Sequence, residues 1–320
     1  MAERYGPVGV LGLIHEAGLY GSGDEFLEMA VPFVRDGLGR GEPVLVTTTA
    51  ENLDLLGAAL GDDAREVDYA ESAYFGRRTA QRAAAFLRYW ERNGARGRVR
   101  ILAEPVWAGR SPRDVVAWKR MESALNVILA GTGVWMICPY DTGTAGPGLV
   151  EAAMRTHPSI SVGGRERRTS PAYTDPARFI GECDREPLPQ APPGAAAATI
   201  GHLHGVRHFA GRQARLHGLA EDKSALLCVA VHEAARYLGL PLTVRMWESF
   251  GALVYDLWAG RETGSGCDPL AGFTPPGADE RPGDGLWLAR QICDHLDIRQ
   301  EAGGCRIRLR AAASRLQESA

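Results

Sequence analysis

The stretch Arg281-Pro-Gly283-Asp-Gly285-Leu-Trp287-Leu-Ala-Arg-Gln-Ile-Cys293-Asp294 decides how the C-terminal part of the chain is read. Two glycines, one residue apart, open an apolar run. Leu286, Leu288, Ala289, Ile292 and Cys293 recur at helical spacing, which predicts a helix with one buried face. Glycines before a helix let backbone N–H groups approach an anion, and the positive end of the helix dipole favours one there. The plainer reading is a tight turn feeding a core helix. Upstream, Leu226 to Leu238 reads as a helix stopped by Gly239. Two strand-like runs follow, Leu242 to Trp247 and Ala252 to Trp258. Then come Cys267-Asp-Pro-Leu-Ala-Gly272, the glycine pair and a last strand, Cys305 to Arg310.

In this order, the elements from about Thr199 to Ala311 resemble the histidine-kinase-like (GHKL) ATPase fold, in the form found in bacterial anti-sigma-factor kinases. The phrases Asp268-Pro-Leu-Ala-Gly272 and Gly283-x-Gly285-Leu-Trp-Leu288 carry the resemblance. It implies an α+β two-layer sandwich, with a nucleotide site drawn from His232, Glu233, Tyr237, Gly260, Gly283 and Gly285. The family's first motif holds magnesium and phosphates with two asparagines and a glutamate. Here those places read His232, Glu233 and Tyr237, and only the glutamate, the family's general base, is kept. The phrase that would offer an aspartate to adenine reads Trp258-Ala-Gly260. Magnesium wants oxygen ligands, which an imidazole does not supply. The expectation is a domain that keeps the fold, has lost ordinary ATP binding, carries no cofactor and is not an enzyme. The alternative is an active protein-serine kinase, dependent on ATP and magnesium, with Glu233 as catalytic base.

The length of 320 residues allows one large or two ordinary domains. A formal net charge of −3 gives no bulk electrostatic footprint for nucleic acid, and there is no recognition-helix motif or basic stripe. No apolar run is long enough to span a bilayer and the first residues lack a signal-peptide pattern, so a cytoplasmic location is expected. Six cysteines without Cys-x-x-Cys spacing are expected as reduced thiols, mostly buried as small hydrophobes.

The N-terminal half alternates strand-like and helix-like runs. Val8 to Ile14 is an apolar run read as a buried strand. Gly18 and Gly23 then have the spacing of a Walker A loop, but the lysine and hydroxyl places hold Asp24 and Glu25. Ser22 and Glu25 read instead as a helix cap. Successive strand, loop and helix patterns predict parallel βαβ units, hence an α/β, RecA-like, doubly wound domain without a working P-loop. In such sheets ligands sit at the carboxyl ends of strands. Those ends carry His15, Glu104, Trp107, Tyr140 and Asp141.

Several phrases also recur in a recognisable order: His15 with Tyr20, Gly41-Glu-Pro-Val-Leu-Val46, Glu104-Pro-Val-Trp-Ala-Gly-Arg-Ser111, Glu122-x-x-x-Asn126, Cys138-Pro-Tyr-Asp141 and His157-Pro158. Over about Pro7 to Val162 they resemble a MEDS domain, a bacterial sensory domain related to RecA-type clock ATPases but lacking their phosphate loop. The resemblance implies a sensor of small molecules, such as hydrocarbon derivatives. His15, Tyr20, Glu104, Trp107, Tyr140, Asp141 and His157 are then its ligand-binding residues.

The composition shifts near residue 164. The expected boundaries are a sensor over 1–164, a charged and then Pro/Ala-rich linker over 165–198, and the ATPase-like domain over 199–320. A helix from Ile200 to Leu216 carries His202, His204 and His208, with His217 just beyond. His204 and His208 share a face, but a metal needs at least a third ligand, so no metal site is assigned. The two resemblances together match the arrangement of certain actinobacterial anti-sigma regulatory proteins. They imply a regulator whose first domain responds to a small molecule or partner. Its second domain then holds a sigma factor or an anti-anti-sigma factor. A ligand-regulated scaffold with no link to sigma factors is the other alternative. No nucleic-acid or membrane partner is expected, and a homodimer is left open.

Overall fold

Continuous apolar runs suit strands that are covered on both faces, and alternating runs suit strands covered on one. Both kinds occur here, in separate units. The computed structural model describes residues 12–73, 75, 78–164, 166–260, 267–279, 281 and 283–313. The chain divides into two compact units after Ile180.

Unit 1 runs β1 (Ile14–Tyr20), α1 (Gly23–Gly39), β2 (Val44–Thr48), α2 (Ala50–Leu60), β3 (Asp68–Glu71), α3 (Thr79–Asn93), β4 (Val99–Ala103), α4 (Pro112–Ile128), β5 (Val134–Asp141), α5 (Pro147–Thr156), β6 (Ser159–Val162) and β7 (Arg168–Thr169). Then α6 (Pro176–Cys183) crosses the division. The seven strands lie in the order β3-β2-β4-β5-β1-β6-β7, parallel except for β7. The parallel register sets Ala17 beside Cys138 and His15 beside Met136. Because successive side chains alternate across a strand, His15 and Cys138 share one face of the sheet. Glu16, Gly18 and Tyr20 face the other way, towards α1. Tyr20 meets Phe26 there, with ring centroids 5.4 Å apart.

The first strand corrects the sequence reading. Residues 8–11 of the expected strand lie outside the described residues, and β1 occupies the stretch expected as a loop. Gly18 is therefore a strand residue. A Cβ there would come within 2.1 Å of Met29 Sδ, so this glycine lets α1 pack close on the sheet. The strand-to-helix turn is only Gly21-Ser22, and the Ser22 hydroxyl caps α1 by accepting from Glu25 N–H at 3.2 Å.

Unit 2 runs β8 (Ala196–Ile200), α7 (Leu203–Leu216), α8 (Glu221–Leu238), β9 (Leu242–Ser249), β10 (Ala252–Gly260), α9 (Asp284–Ile292), β11 (His295–Glu301) and β12 (Gly304–Ala312). Its sheet is antiparallel throughout, in the order β11-β12-β10-β9-β8. Leu253, Tyr255 and Leu257 of β10 form one core with Ala230, Val231 and Ala234 of α8 and Leu286 and Ala289 of α9. The opposite sheet face is polar. On it Asp256 accepts from Arg306 at 2.6 Å and Arg308 at 3.0 Å.

The segment read as a linker holds β7, α6 and the first residues of β8. Its Pro-rich part lies against unit 2's polar sheet face, where Pro189 O accepts from Arg308 at 2.7 Å and Asp184 pairs with Arg299 at 2.5 Å. The cysteine expectation is also corrected for one pair: Cys267 and Cys305 form a disulfide, with Cα atoms 5.9 Å apart. The chain after β10 returns along β11 and β12, which brings together two cysteines 38 residues apart. Cys138 and Cys293 are buried thiols, and Cys183 and Cys228 are half-buried ones. Among the described residues no helix is long and apolar enough to cross a membrane.

Gly272 holds the Asp268–Gly272 turn against α9. Its φ is +74°, and a Cβ would meet the Leu286 carbonyl carbon at 2.6 Å. Gly303 has φ +87° but open space around it. Gly272→Ala should therefore cost unit 2 about 1–3 kcal/mol in urea unfolding, and Gly303→Ala clearly less. Equal costs would contradict this packing.

Candidate functional site

Two buried polar clusters lie on opposite faces of unit 1's sheet. The first gathers side chains distant in sequence. His15 comes from β1, Glu122 from α4, Cys138 from β5 and His157 from the turn after α5. None is more than 3 % exposed. Glu122 Oε2 faces His157 Nε2 at 3.5 Å and His15 Nε2 at 3.7 Å. Cys138 Sγ lies 3.6 Å from that oxygen and 3.5 Å from His15 Nε2. The four ligating atoms all lie within 4.8 Å of one another.

An outer ring fixes each of these groups. Glu122 Oε1 accepts from Trp118 Nε1–H at 2.8 Å, one helical turn earlier. His15 Nδ1 faces Asn126 Oδ1 at 3.1 Å, and His157 Nδ1 faces Ala153 O at 2.8 Å. Burial, helped by the neighbouring His157, lowers His15 to about 4, so the ring is neutral near pH 7. Burial, and then Glu122, push the Cys138 thiol up.

Aromatic rings continue outward from this cluster. Tyr140 meets His157 edge-on with centroids 5.8 Å apart, and Trp107 stacks on Tyr140 at 6.0 Å. Trp107 is half-buried, and its Nε1–H is a buried donor without a hydrogen-bond partner among the described residues. A buried unpaired donor of this kind invites an acceptor.

The second cluster centres on Glu104, just past β4. Its carboxylate accepts from Tyr20 Oη at 2.5 Å, from Asn52 Nδ2 at 2.9 Å and from the Thr48 hydroxyl. Burial and the Glu104 charge hold the Tyr20 phenol well above its usual range. Arg82, 1 % exposed, donates to Glu104 O at 3.1 Å while its guanidinium lies 5.1 Å from the Trp118 ring. Arg82 thus touches both clusters.

The expected sensor residues are therefore divided. His15, Tyr140 and His157 come together with Trp107, while Tyr20 and Glu104 meet on the other face. Asp141 is half-exposed and turns its Oδ1 back to Gly143 N–H at 2.8 Å, as a turn cap. The sequence reading assigned no metal-ligating group, yet the first cluster assembles four side chains of that kind. Glu122 and Cys138 stood in the quoted motifs without a role. No local sequence pattern marks Thr48, Asn52 or Arg82. The one local signal was Trp118 four residues before Glu122 on a helix. The histidines of unit 2 are different: His204 and His208 are exposed, and His202 caps α7 by accepting from Gly205 N–H at 2.9 Å.

In unit 2 the glycine pair is already crowded. A Cβ on Gly285 would come within 1.9 Å of Glu233 Oε2, so that carboxylate lies against the turn. Arg236 engages it at 3.1 Å. The Tyr237 ring lies against Gly283, which has φ +94°, and its hydroxyl accepts from Asp268 N–H at 3.0 Å. His232 is half-buried on the same helix, one residue before Glu233. Burial lowers its imidazole, against the pull of Glu233. Gly260 ends β10 opposite Gly304.

Residues 14–158 match the MEDS family, described as the MEthanogen/methylotroph, DcmR Sensory domain. No curated protein matches the chain. The matched span contains both buried clusters of unit 1.

Removing the Glu104 carboxylate leaves three donors in a dry site without their acceptor. Glu104→Ala should cost about 2–3 kcal/mol in urea unfolding followed by circular dichroism. An unchanged midpoint would show that these contacts hold nothing.

Proposed function

We propose that this chain is a two-unit regulator in which unit 1, a RecA-like domain without a phosphate loop, senses a small molecule. In this reading unit 2 is a GHKL-like domain that has lost its nucleotide and holds a protein partner, a sigma factor or an anti-anti-sigma factor. The match of residues 14–158 to a sensory family carries the sensory part. The site itself supports it. Ligands of open parallel sheets sit beyond the carboxyl ends of the strands, and β1, β4 and β5 end there in Tyr20, Glu104, Trp107 and Tyr140. Trp107 offers a buried N–H with no partner among the described residues, beside an aromatic wall. That suits a small, largely apolar molecule with one acceptor, such as a short oxygenated hydrocarbon.

For unit 2, the support is electrostatic. A phosphate cradle needs bare backbone N–H groups at a helix N-terminus. Here the Glu233 carboxylate lies against that turn and Tyr237 fills the adjoining space. The opposing reading, an active protein-serine kinase, draws on the same Glu233 as base beside the glycine pair.

Thermal unfolding of the full chain separates the two. Short-chain alcohols, aldehydes and halogenated alkanes should include a compound that raises Tm. Mg-ATP should leave Tm unchanged. A Tm raised by micromolar Mg-ATP, with no response to any organic compound, would overturn this reading in favour of the kinase.

A further inference from the structure

We propose that His15, Glu122, Cys138 and His157 hold one zinc ion per chain in a closed tetrahedral site. Asn126 spends its amide N–H groups on Ser123 O at 3.1 Å and Thr156 O at 2.7 Å, so its carbonyl oxygen is what faces His15 Nδ1. His15 Nδ1 therefore carries the ring hydrogen. Ala153 O is an acceptor only, so His157 Nδ1 carries one too. In its neutral form each ring so oriented turns a bare Nε2 lone pair towards Glu122 Oε2. Three acceptors face one another in a dry cavity with only the Cys138 S–H to share. His157 Nε2 makes no hydrogen bond among the described residues, in a residue with no exposure. A cation at their centre satisfies all of them together.

The spacing fits this occupant. Zinc binds nitrogen and oxygen at about 2.0–2.2 Å and sulfur at about 2.3 Å, and the edge of a tetrahedron is about 1.6 times its centre-to-corner distance, so ligand atoms should lie about 3.3–3.7 Å apart. Four of the six edges are 3.5, 3.5, 3.6 and 3.7 Å, and the two from His157 Nε2 to His15 and to Cys138 lie within 4.8 Å. Octahedral edges would be nearer 3 Å, about 1.4 times the same bond lengths. A thiolate with two imidazoles selects zinc over magnesium or calcium. One thiolate and one carboxylate neutralise a divalent ion, which keeps net charge out of the interior. The ring contacts to Asn126 and Ala153, and the Trp118 bond to Glu122, are the outer supports that metal ligands usually have. The site requires neither a sensed small molecule nor a protein partner, so it stands apart from the sensory reading.

The test uses the full chain, stripped with a chelator and titrated with zinc chloride against a chromophoric competitor. One zinc per chain is expected, and Asn126→Ala should weaken it about 10–100-fold. Cobalt(II) in place of zinc should give the intense visible absorption of a tetrahedral site together with a thiolate-to-cobalt charge-transfer band. Cys138→Ser should remove that band. A chain with His202, His204 and His208 all changed to alanine should bind as before. Failure of the folded wild-type chain to bind zinc would overturn the proposal. So would an octahedral cobalt spectrum, or loss of binding with the three surface histidines. If Cys138→Ser does not fold, the wild-type cobalt spectrum decides alone.

Discussion

A carboxylate in a dry interior must be met by donors or by positive charge, because its burial otherwise costs several kcal/mol. Glu122 is that carboxylate in unit 1. Trp118 donates to one of its oxygens and the Cys138 thiol reaches the other, while two imidazole Nε2 atoms lie beside that oxygen as further acceptors that call for a cation. Each of these groups comes from a different element. β1 and β5 must be neighbours and parallel for His15 and Cys138 to share a face. α4 must cover that face for Glu122 to reach them, and α5 must end where His157 can turn inward. The sheet order and the register are thus requirements of this one interaction.

The opposite face is built around a different acceptor. Glu104 gathers Tyr20, Thr48 and Asn52 from β1, β2 and α2. Arg82 reaches its backbone carbonyl from α3. Polar groups this deep are kept only when they are satisfied. Trp107 is one of several exceptions, with a buried N–H that has no partner among the described residues. It lies at the outer end of the aromatic series from His157, so it links the buried centre to the strand ends where a ligand would approach.

Much of this architecture was legible because periodicity reports burial. Helices α2, α3, α4 and α8 announce themselves by apolar spacing, and the alternation of strand and helix gives the parallel sheet. The first strand was displaced because Gly18 and Gly23 mimic a loop motif. Gly18 is instead a packing position under Met29, which no local pattern marks. β11 went unread because Asp297 and Arg299 interrupt its apolar positions; they are tolerated there by pairing with each other and with Asp184. The Cys267–Cys305 bridge has no spacing signature either, since the return of the chain along β12 creates it. The strand-end rule points to Glu104, Trp107 and Tyr140 at or beyond the ends of β4 and β5, but His15, expected at the end of a strand closing at Ile14, lies near the start of β1. That rule could not find Glu122 or Arg82, which enter from helices, nor tell that Tyr20 and His15 face opposite ways on one strand.

The constraint at Glu122 rests on which ring nitrogens carry hydrogen, and that can be observed directly. Nitrogen NMR of the full chain labelled with 15N-histidine, at neutral pH, reports the protonation of each imidazole nitrogen. The account predicts hydrogen on Nδ1 of both His15 and His157 and none on either Nε2. Doubly protonated rings at these two positions would show that protons, and no other cation, occupy the space around Glu122, and would contradict it.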